Sequence, residues 1–294
     1  MQTERLIYRS CMALSRLPWW LLYAISSIMA WVAYTFHLYR YKVVMENLRL
    51  AFPEKTPRQR RRIARGFYRH LADSLVETVK LLHVSDASLR RKVEFVGWEQ
   101  LQQQAADRRS VVLFLGHYGN WELVPTIVWA IPDDFIKGQI YKPAHHPMGH
   151  TVMEKIRSRF GAENINQEHA FLHLIRQNRQ GLLTCTGFIA DQRPNGNFLH
   201  WTRFLGLPTA YTPGGEEIGR RINAVYYYID IESIGRGRTR LTLKPVVPDP
   251  DEKKYPVNVG YLRMLEQTIR RDPSLWLWTH KRWAGQLDHK LENQ

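Results

Sequence analysis

Cysteine is almost missing from this 294-residue chain: only Cys11 and Cys185 occur, and neither belongs to a Cys-x-x-Cys pair. That excludes a disulfide framework and a thiolate metal centre, and it fits a reduced compartment. Cys185 lies in the apolar run Leu182-Leu183-Thr184-Cys185-Thr186, where a buried structural thiol is expected. No Gly-x-Ser-x-Gly elbow occurs, so a serine acyl-enzyme is not indicated. Internal repeats, low-complexity tracts and a clear interdomain linker are lacking as well. Acidic residues are scarce beside basic ones, 27 against 42, and the net charge of +15 implies an anionic partner or surface. Nucleic acid and phosphorylated lipid both qualify. Zinc-finger spacing and an aromatic RNA-binding motif are absent, and nucleic acid would leave the apolar amino terminus unexplained.

That terminus is where charge disappears. Residues 17–39 contain no Lys, Arg, Asp or Glu, and about 20 helical residues suffice to cross a hydrocarbon core. Trp19, Trp20 and Tyr23 stand near one end, and Tyr34, Tyr39 and Tyr41 near the other, as interfacial belts require. The expectation is a membrane-associated helix, spanning or lying in the interface. A buried core helix is one alternative. A cleaved signal with Arg5, Arg9 and Arg16 as its basic region is another, although no Ala-x-Ala site follows. Arg40, Lys42, Arg49, Lys55, Arg58, Arg60, Arg61, Arg62 and Arg65 come next and favour a cytoplasmic body, while Arg5, Arg9 and Arg16 also suit an interfacial helix. The expected division is an anchoring helix over residues 1–42 and one domain over residues 43–294.

From residue 57 to about 83 the pattern is helical, with Ile63, Phe67, Leu71, Leu75, Val79 and Leu82 predicted to pack on the body. The arginines at its start are either a solvated face or a seat for anionic headgroups. Short strands at 93–96, 110–115, 139–141 and 182–187 then alternate with helical stretches, which predicts an α/β fold: a mixed sheet flanked by helices. Two β-rich runs, 223–231 and 239–244, surround Gly235-Arg236-Gly237 as a hairpin, and a final helix covers 257–271.

The chemistry concentrates at His117-Tyr118-Gly119-Asn120-Trp121-Glu122, directly after the run Ser110-Val111-Val112-Leu113-Phe114-Leu115. That run has the length and composition of a strand buried on both faces. Gly116 and Gly119 permit a tight turn, Asn120 suits an N-cap, and a helix is expected from Trp121 with Pro125 near its first turn. Within one helix, residues five apart differ by about 140° in direction. His117 and Glu122 therefore meet only if the histidine lies in the turn and the glutamate in the first helical turn. A carboxylate on one ring nitrogen would leave the other as a base toward a hydroxyl. A lone His-x4-Glu is an ordinary spacing; its full context carries the weight.

Gly116-His117-Tyr118-Gly119-Asn120-Trp121-Glu122 closely resembles the His-x4-Asp/Glu motif of the lysophospholipid acyltransferase superfamily, in the form found in bacterial lipid A secondary acyltransferases, the lauroyl and myristoyl transferases. Further landmarks follow in order along the chain. They are Tyr39-Arg40, Asn47-Leu48-Arg49-Leu50-Ala51-Phe52-Pro53-Glu54, Tyr141-Lys142-Pro143 and Arg157-Ser158-Arg159-Phe160-Gly161. Asp191-Gln192, Phe204-Leu205-Gly206 and Trp278-Thr279-His280-Lys281-Arg282-Trp283 complete the set. Lys142 and Trp283 depart from the family's usual arginine and phenylalanine.

The resemblance implies a glycerolipid acyltransferase-like fold and acyl transfer from a thioester, on acyl carrier protein or coenzyme A, to a hydroxyl of a phosphorylated glycolipid. For lipid A precursors that hydroxyl belongs to a 3-hydroxyacyl chain. On this reading His117 is the general base and Glu122 its orienting acid. Arg157 or Arg159 supports the oxyanion or a lipid phosphate. Asn120, Asp191, Gln192, His280 and Arg282 are the remaining candidate substrate-binding residues, with His280 and Arg282 directed at acceptor phosphate. Membrane lipids are expected partners, nucleic acid is not, and the location implied is the cytoplasmic side of a bacterial inner membrane. No cofactor or metal is expected. His145, His146 and His150, broken by Pro147 and Gly149, read as a polar loop. Trp276, Trp278 and Trp283 read as packing residues. One alternative changes the acceptor to another glycolipid or an aminolipid; a second is a non-catalytic basic membrane adaptor.

Overall fold

The computed structural model describes residues 2–141, 147–194 and 199–287, apart from the side chains of residues 2–7 and 147–152. The amino-terminal part is helical: α1 (Gln2–Arg16), α2 (Trp19–Thr35), α3 (Tyr41–Ala51), α4 (Pro57–Lys80) and α5 (Asp86–Arg90). Then come β1 (Val93–Val96), α6 (Gln100–Ala106), β2 (Val111–Leu115), a 3-10 helix over Trp121–Trp129, β3 (Phe135–Tyr141) and α7 (Pro147–Ser158). β4 (Glu163–Asn166), α8 (Ala170–Arg179), β5 (Leu183–Ile189), the hairpin β6 (His200–Phe204) and β7 (Leu207–Tyr211), and α9 (Gly214–Arg221) follow. β8 (Val225–Gly235), β9 (Arg238–Pro245), α10 (Pro256–Arg271) and a short 3-10 turn over Pro273–Leu275 complete the described chain.

Among the described residues seven strands form one sheet in the order β1-β9-β8-β2-β5-β3-β4. All neighbours are parallel except β8 and β9, the hairpin predicted around Gly235 and Gly237. The mixed, helix-covered α/β sheet expected from the alternation is therefore present. β2 lies centrally between β8 and β5, and all five of its residues are buried, as a Val/Leu/Phe run with helices over the sheet requires. α10 packs on it: Phe114 and Tyr261 stack at 4.9 Å, and Tyr261 donates to the Leu115 carbonyl at 2.7 Å.

The apolar amino-terminal segment departs from a single long helix. Pro18 precedes α2, which runs for 17 residues, and among the described residues no helix is long and apolar enough to cross a membrane. One face of α2, with Leu22, Ser26 and Ala30, is buried, and the helix packs against α4.

α4 begins on a capping box between Thr56 and Gln59, with Pro57 in the first turn. Its buried face differs from the apolar stripe read from periodicity. Leu75 is 52% exposed, whereas Asp73, Ser74, Glu77 and Lys80 are buried. The reason is a set of polar partners brought from elsewhere. Lys80 Nζ donates to the Ser15 and Leu17 carbonyls at 2.8 and 2.7 Å, satisfying groups at the end of α1. Asp73 accepts from Ser26 and, at 2.9 and 2.6 Å, from the Arg236 guanidinium at the tip of the β8–β9 hairpin.

Candidate active site

Sheet register creates the site. Leu115 on β2 pairs with Ile189 on β5. Side chains alternate with period two, so two residues beyond that pair His117 and Asp191 stand opposite each other on one face. Both lie past the carboxyl ends of parallel strands, where open α/β sheets gather ligands. His117 Nδ1 donates to Asp191 Oδ1 at 2.6 Å, and the His117 backbone N–H donates to Oδ2 at 2.9 Å. Trp276 Nε1 donates to the same Oδ2 at 2.8 Å. Burial works against the charge on Asp191, but His117 and these hydrogen bonds outweigh it and hold the carboxyl below its ordinary range. An ionised Asp191 only accepts, so it selects the tautomer of the neutral imidazole that keeps its proton on Nδ1 and has its lone pair on Nε2. Gln192 Nε2 sits 3.1 Å from that nitrogen.

Glu122, expected to orient His117, makes its hydrogen bonds elsewhere. Arg157 Nε and Nη2 donate to its two oxygens at 3.1 and 2.7 Å, and Trp121 Nε1 donates to Oε1 at 3.1 Å. The segment after Asn120 is a 3-10 helix containing Pro125 and not an α-helix. Asn120 provides no side-chain cap. Its Nδ2 donates instead to Glu77 Oε2 at 2.8 Å, and Tyr23 donates to Glu77 Oε1 at 3.0 Å. His70, one helical repeat before Glu77 on α4, hydrogen-bonds the backbone of Gly119. Helix α4 therefore holds the motif loop from beneath through two side chains on one face.

The tail after α10 holds the same loop from the other side. Leu277 N–H donates to the His117 carbonyl at 3.0 Å, Gly119 N–H to the Leu275 carbonyl at 2.9 Å, and Tyr118 bridges Trp276. Gly119 has φ +60°, and a Cβ there would stand 2.7 Å from Ile231 Cγ2, so both conformation and space demand glycine.

Of the other candidates, Arg159 donates to the Leu81 and Val84 carbonyls and to Asp86, tying the end of α7 to the end of α4 and away from the site. Arg282 is 1% exposed and donates to the Ala210 carbonyl at 2.8 Å, which leaves it out of reach of a surface phosphate. His280 lines the site, and burial together with Arg282 pushes its imidazole down to about 4. Trp276, Trp278 and Trp283 are buried packing residues as predicted, and each also donates through Nε1, to Asp191, the Pro273 carbonyl and Thr209 Oγ1 respectively. Cys185 is buried, and burial pushes its thiol up. Lys142, Pro143, His145 and His146 lie outside the described residues, as does the side chain of His150.

A cavity of about 610 Å³ opens beside His117, Glu122, Arg157, Gln192 and His280. Val124, Ile127, Val128, Ile131, Ile140 and Phe188 give it apolar walls. A histidine held by a buried carboxylate beside a cavity with apolar walls, on a parallel-dominated α/β sheet, is an arrangement suited to group transfer. The chain belongs to the bacterial lipid A biosynthesis acyltransferase family, whose sequence profile matches residues 6–284. It is an acyltransferase. Among curated relatives, a lipid A biosynthesis lauroyltransferase of Escherichia coli is 22% identical over 91% of this chain and 86% of its own length. A lipid A biosynthesis palmitoleoyltransferase of the same organism is 21% identical over 83% and 78%. A lipid A biosynthesis acyltransferase of Haemophilus influenzae is 19% identical over 79% and 72%.

Proposed function

We propose that this acyltransferase moves a fatty acyl chain from an acyl thioester, on acyl carrier protein or coenzyme A, to a hydroxyl of a lipid A precursor. The observation that carries the reading is the Asp191–His117–Gln192 array beside the apolar cavity. The acceptor hydroxyl displaces the Gln192 amide from His117 Nε2 and gives its proton to that nitrogen as its oxygen attacks the thioester carbonyl. The carbon–sulfur bond then breaks, and His117 returns the proton to the departing thiolate. Asp191 stabilises the imidazolium formed in between. The Glu122–Arg157 pair holds a guanidinium at the cavity wall, where it supports the developing oxyanion or a phosphate of the acceptor.

The reading extends to the membrane. The face of α2 opposite Leu22, Ser26 and Ala30 presents Trp20, Ile28 and Trp31 at 70%, 63% and 60% exposure. Arg58, Arg61, Arg62 and Arg65 are exposed at the start of α4. An apolar helix face near a basic patch supports an α2 lying in the interface of an anionic leaflet.

The test incubates purified protein with acyl carrier proteins of several chain lengths and a lipid A precursor, read by mass spectrometry. The expected product is the precursor heavier by one acyl chain, and His117→Ala is expected to lose the reaction. No product with any donor, or an undiminished His117→Ala enzyme, would overturn the proposal.

A further inference from the structure

Strand β5 is interior to the sheet, between β2 and β3. Leu183, Thr184, Cys185 and Thr186 are buried, yet Gly187, next in the strand, is partly accessible and lines the cavity. A glycine inside a central strand weakens it, and one common reason is close approach of a ligand. A Cβ fits at Gly187 in ordinary van der Waals contact. A Cβ there would meet nothing nearer than the Gly138 carbonyl oxygen at 3.9 Å and Leu115 Cδ2 at 4.0 Å. Gly138, Gly214 and Gly215 border the same cavity; a Cβ would stand 3.0 Å from Ile165 at the first and 2.6 Å from Phe114 at the third, while Gly214, with nothing nearer than Thr212 Cγ2 at 3.9 Å, has room but lies at the start of α9 and not on the strand that carries Asp191. Gly187 is thus a cavity-lining position where a methyl group fits without displacing the fold, and a longer side chain projects from there toward the cavity.

Its place along the strand gives that fit a meaning. Gly187, Ile189 and Asp191 share one face by the period of two, so Gly187 stands roughly 13 Å along the strand from the carboxylate that holds His117. A thioester carbonyl at His117 directs its hydrocarbon tail past Ile189 toward Gly187. We infer that Gly187 forms the floor of the acyl-chain pocket and sets the longest chain the enzyme accepts, an inference that rests on the acyltransferase reading above.

Gly187→Ala, Gly187→Val and Gly187→Leu test it against saturated thioesters from octanoyl to palmitoyl. Donor binding is followed by tryptophan fluorescence, since Trp121 lines the cavity, and transfer by mass spectrometry. The expected result is a loss graded by side-chain size and by chain length. kcat/KM for the longest accepted donor falls at least ~10-fold in Gly187→Leu while the shortest donor is little affected. Equal loss at all lengths, an unchanged length profile in all three variants, or no donor binding by the wild type would overturn the inference. Should Gly187→Leu fail to fold, Gly187→Ala, whose methyl fits without displacing the fold, decides by the same profile. A wild type that binds donors with a Gly187-dependent length limit but transfers none would uphold the pocket and sink the proposed reaction.

Discussion

His117 is fixed at both ring nitrogens and at its backbone, and Asp191 supplies two of those contacts. Asp191→Asn replaces an acceptor at Nδ1 with an amide that can donate, which favours the wrong tautomer. We expect kcat to fall by roughly 10²- to 10⁴-fold with the fold retained. Steady-state kinetics beside near-ultraviolet circular dichroism separate the two effects. Glu122 makes a different prediction because its partner is Arg157. A double-mutant cycle should show Glu122→Ala and Arg157→Ala costing together little more than either alone, whereas Glu122→Ala and Asp191→Asn add. Non-additivity of the second pair would return Glu122 to the histidine.

At the scale of elements, the motif loop lies between α4 and the tail that follows α10. Glu77 is the junction on the α4 side, accepting from Tyr23 on α2 and from Asn120 in the loop. Burial raises its carboxyl above the ordinary range, while the two donors pull the other way. Glu77→Ala strands two donors, and a loss of about 1 to 3 kcal/mol in urea unfolding is expected. Glu77→Gln retains an oxygen for one of them and should lose less. The same junction joins the helix proposed to lie in the membrane to the residue three places after His117. α2 and the motif loop are therefore one packed unit.

For the whole molecule, the net charge of +15 and the exposed face of α2 predict binding to phosphatidylglycerol vesicles that weakens with salt. Replacing Trp20, Ile28 and Trp31 together by serine should reduce that binding at least ~10-fold without unfolding the protein. Vesicle sedimentation reads the binding and circular dichroism the fold, and unchanged binding by the triple variant would place the contact elsewhere. Global stability also depends on pH through His280. Its folded value of about 4 lies below the ordinary 6.5, because burial and Arg282 disfavour the imidazolium. Below 6.5 the unfolded chain takes up the proton first. The His280 contribution is thus complete above pH 6.5 and is lost as pH falls toward 4. His280→Gln should flatten the urea midpoint across that window.

The sequence by itself determined the local parts. The apolar run 110–115 is β2, the alternation of strands and helices is a mixed α/β sheet, and Gly235-Arg236-Gly237 lies at a hairpin turn. These depend on residues near one another in the chain, where periodicity and turn chemistry act directly. His117 was legible as a candidate base for the same reason, and the ordered landmarks gave the family. Period-two continuation of the strand put Asp191 on the face of Leu183, Cys185, Gly187 and Ile189. Its partner, however, depended on which strand lies beside β2, and 74 residues separate Asp191 from His117. Arg157 on Glu122, Trp276 on Asp191 and Glu77 beneath Asn120 are likewise contacts between distant segments. Tertiary structure alone decided them, because a hydrogen bond forms between groups that packing brings within about 3 Å, and separation along the chain does not encode that distance.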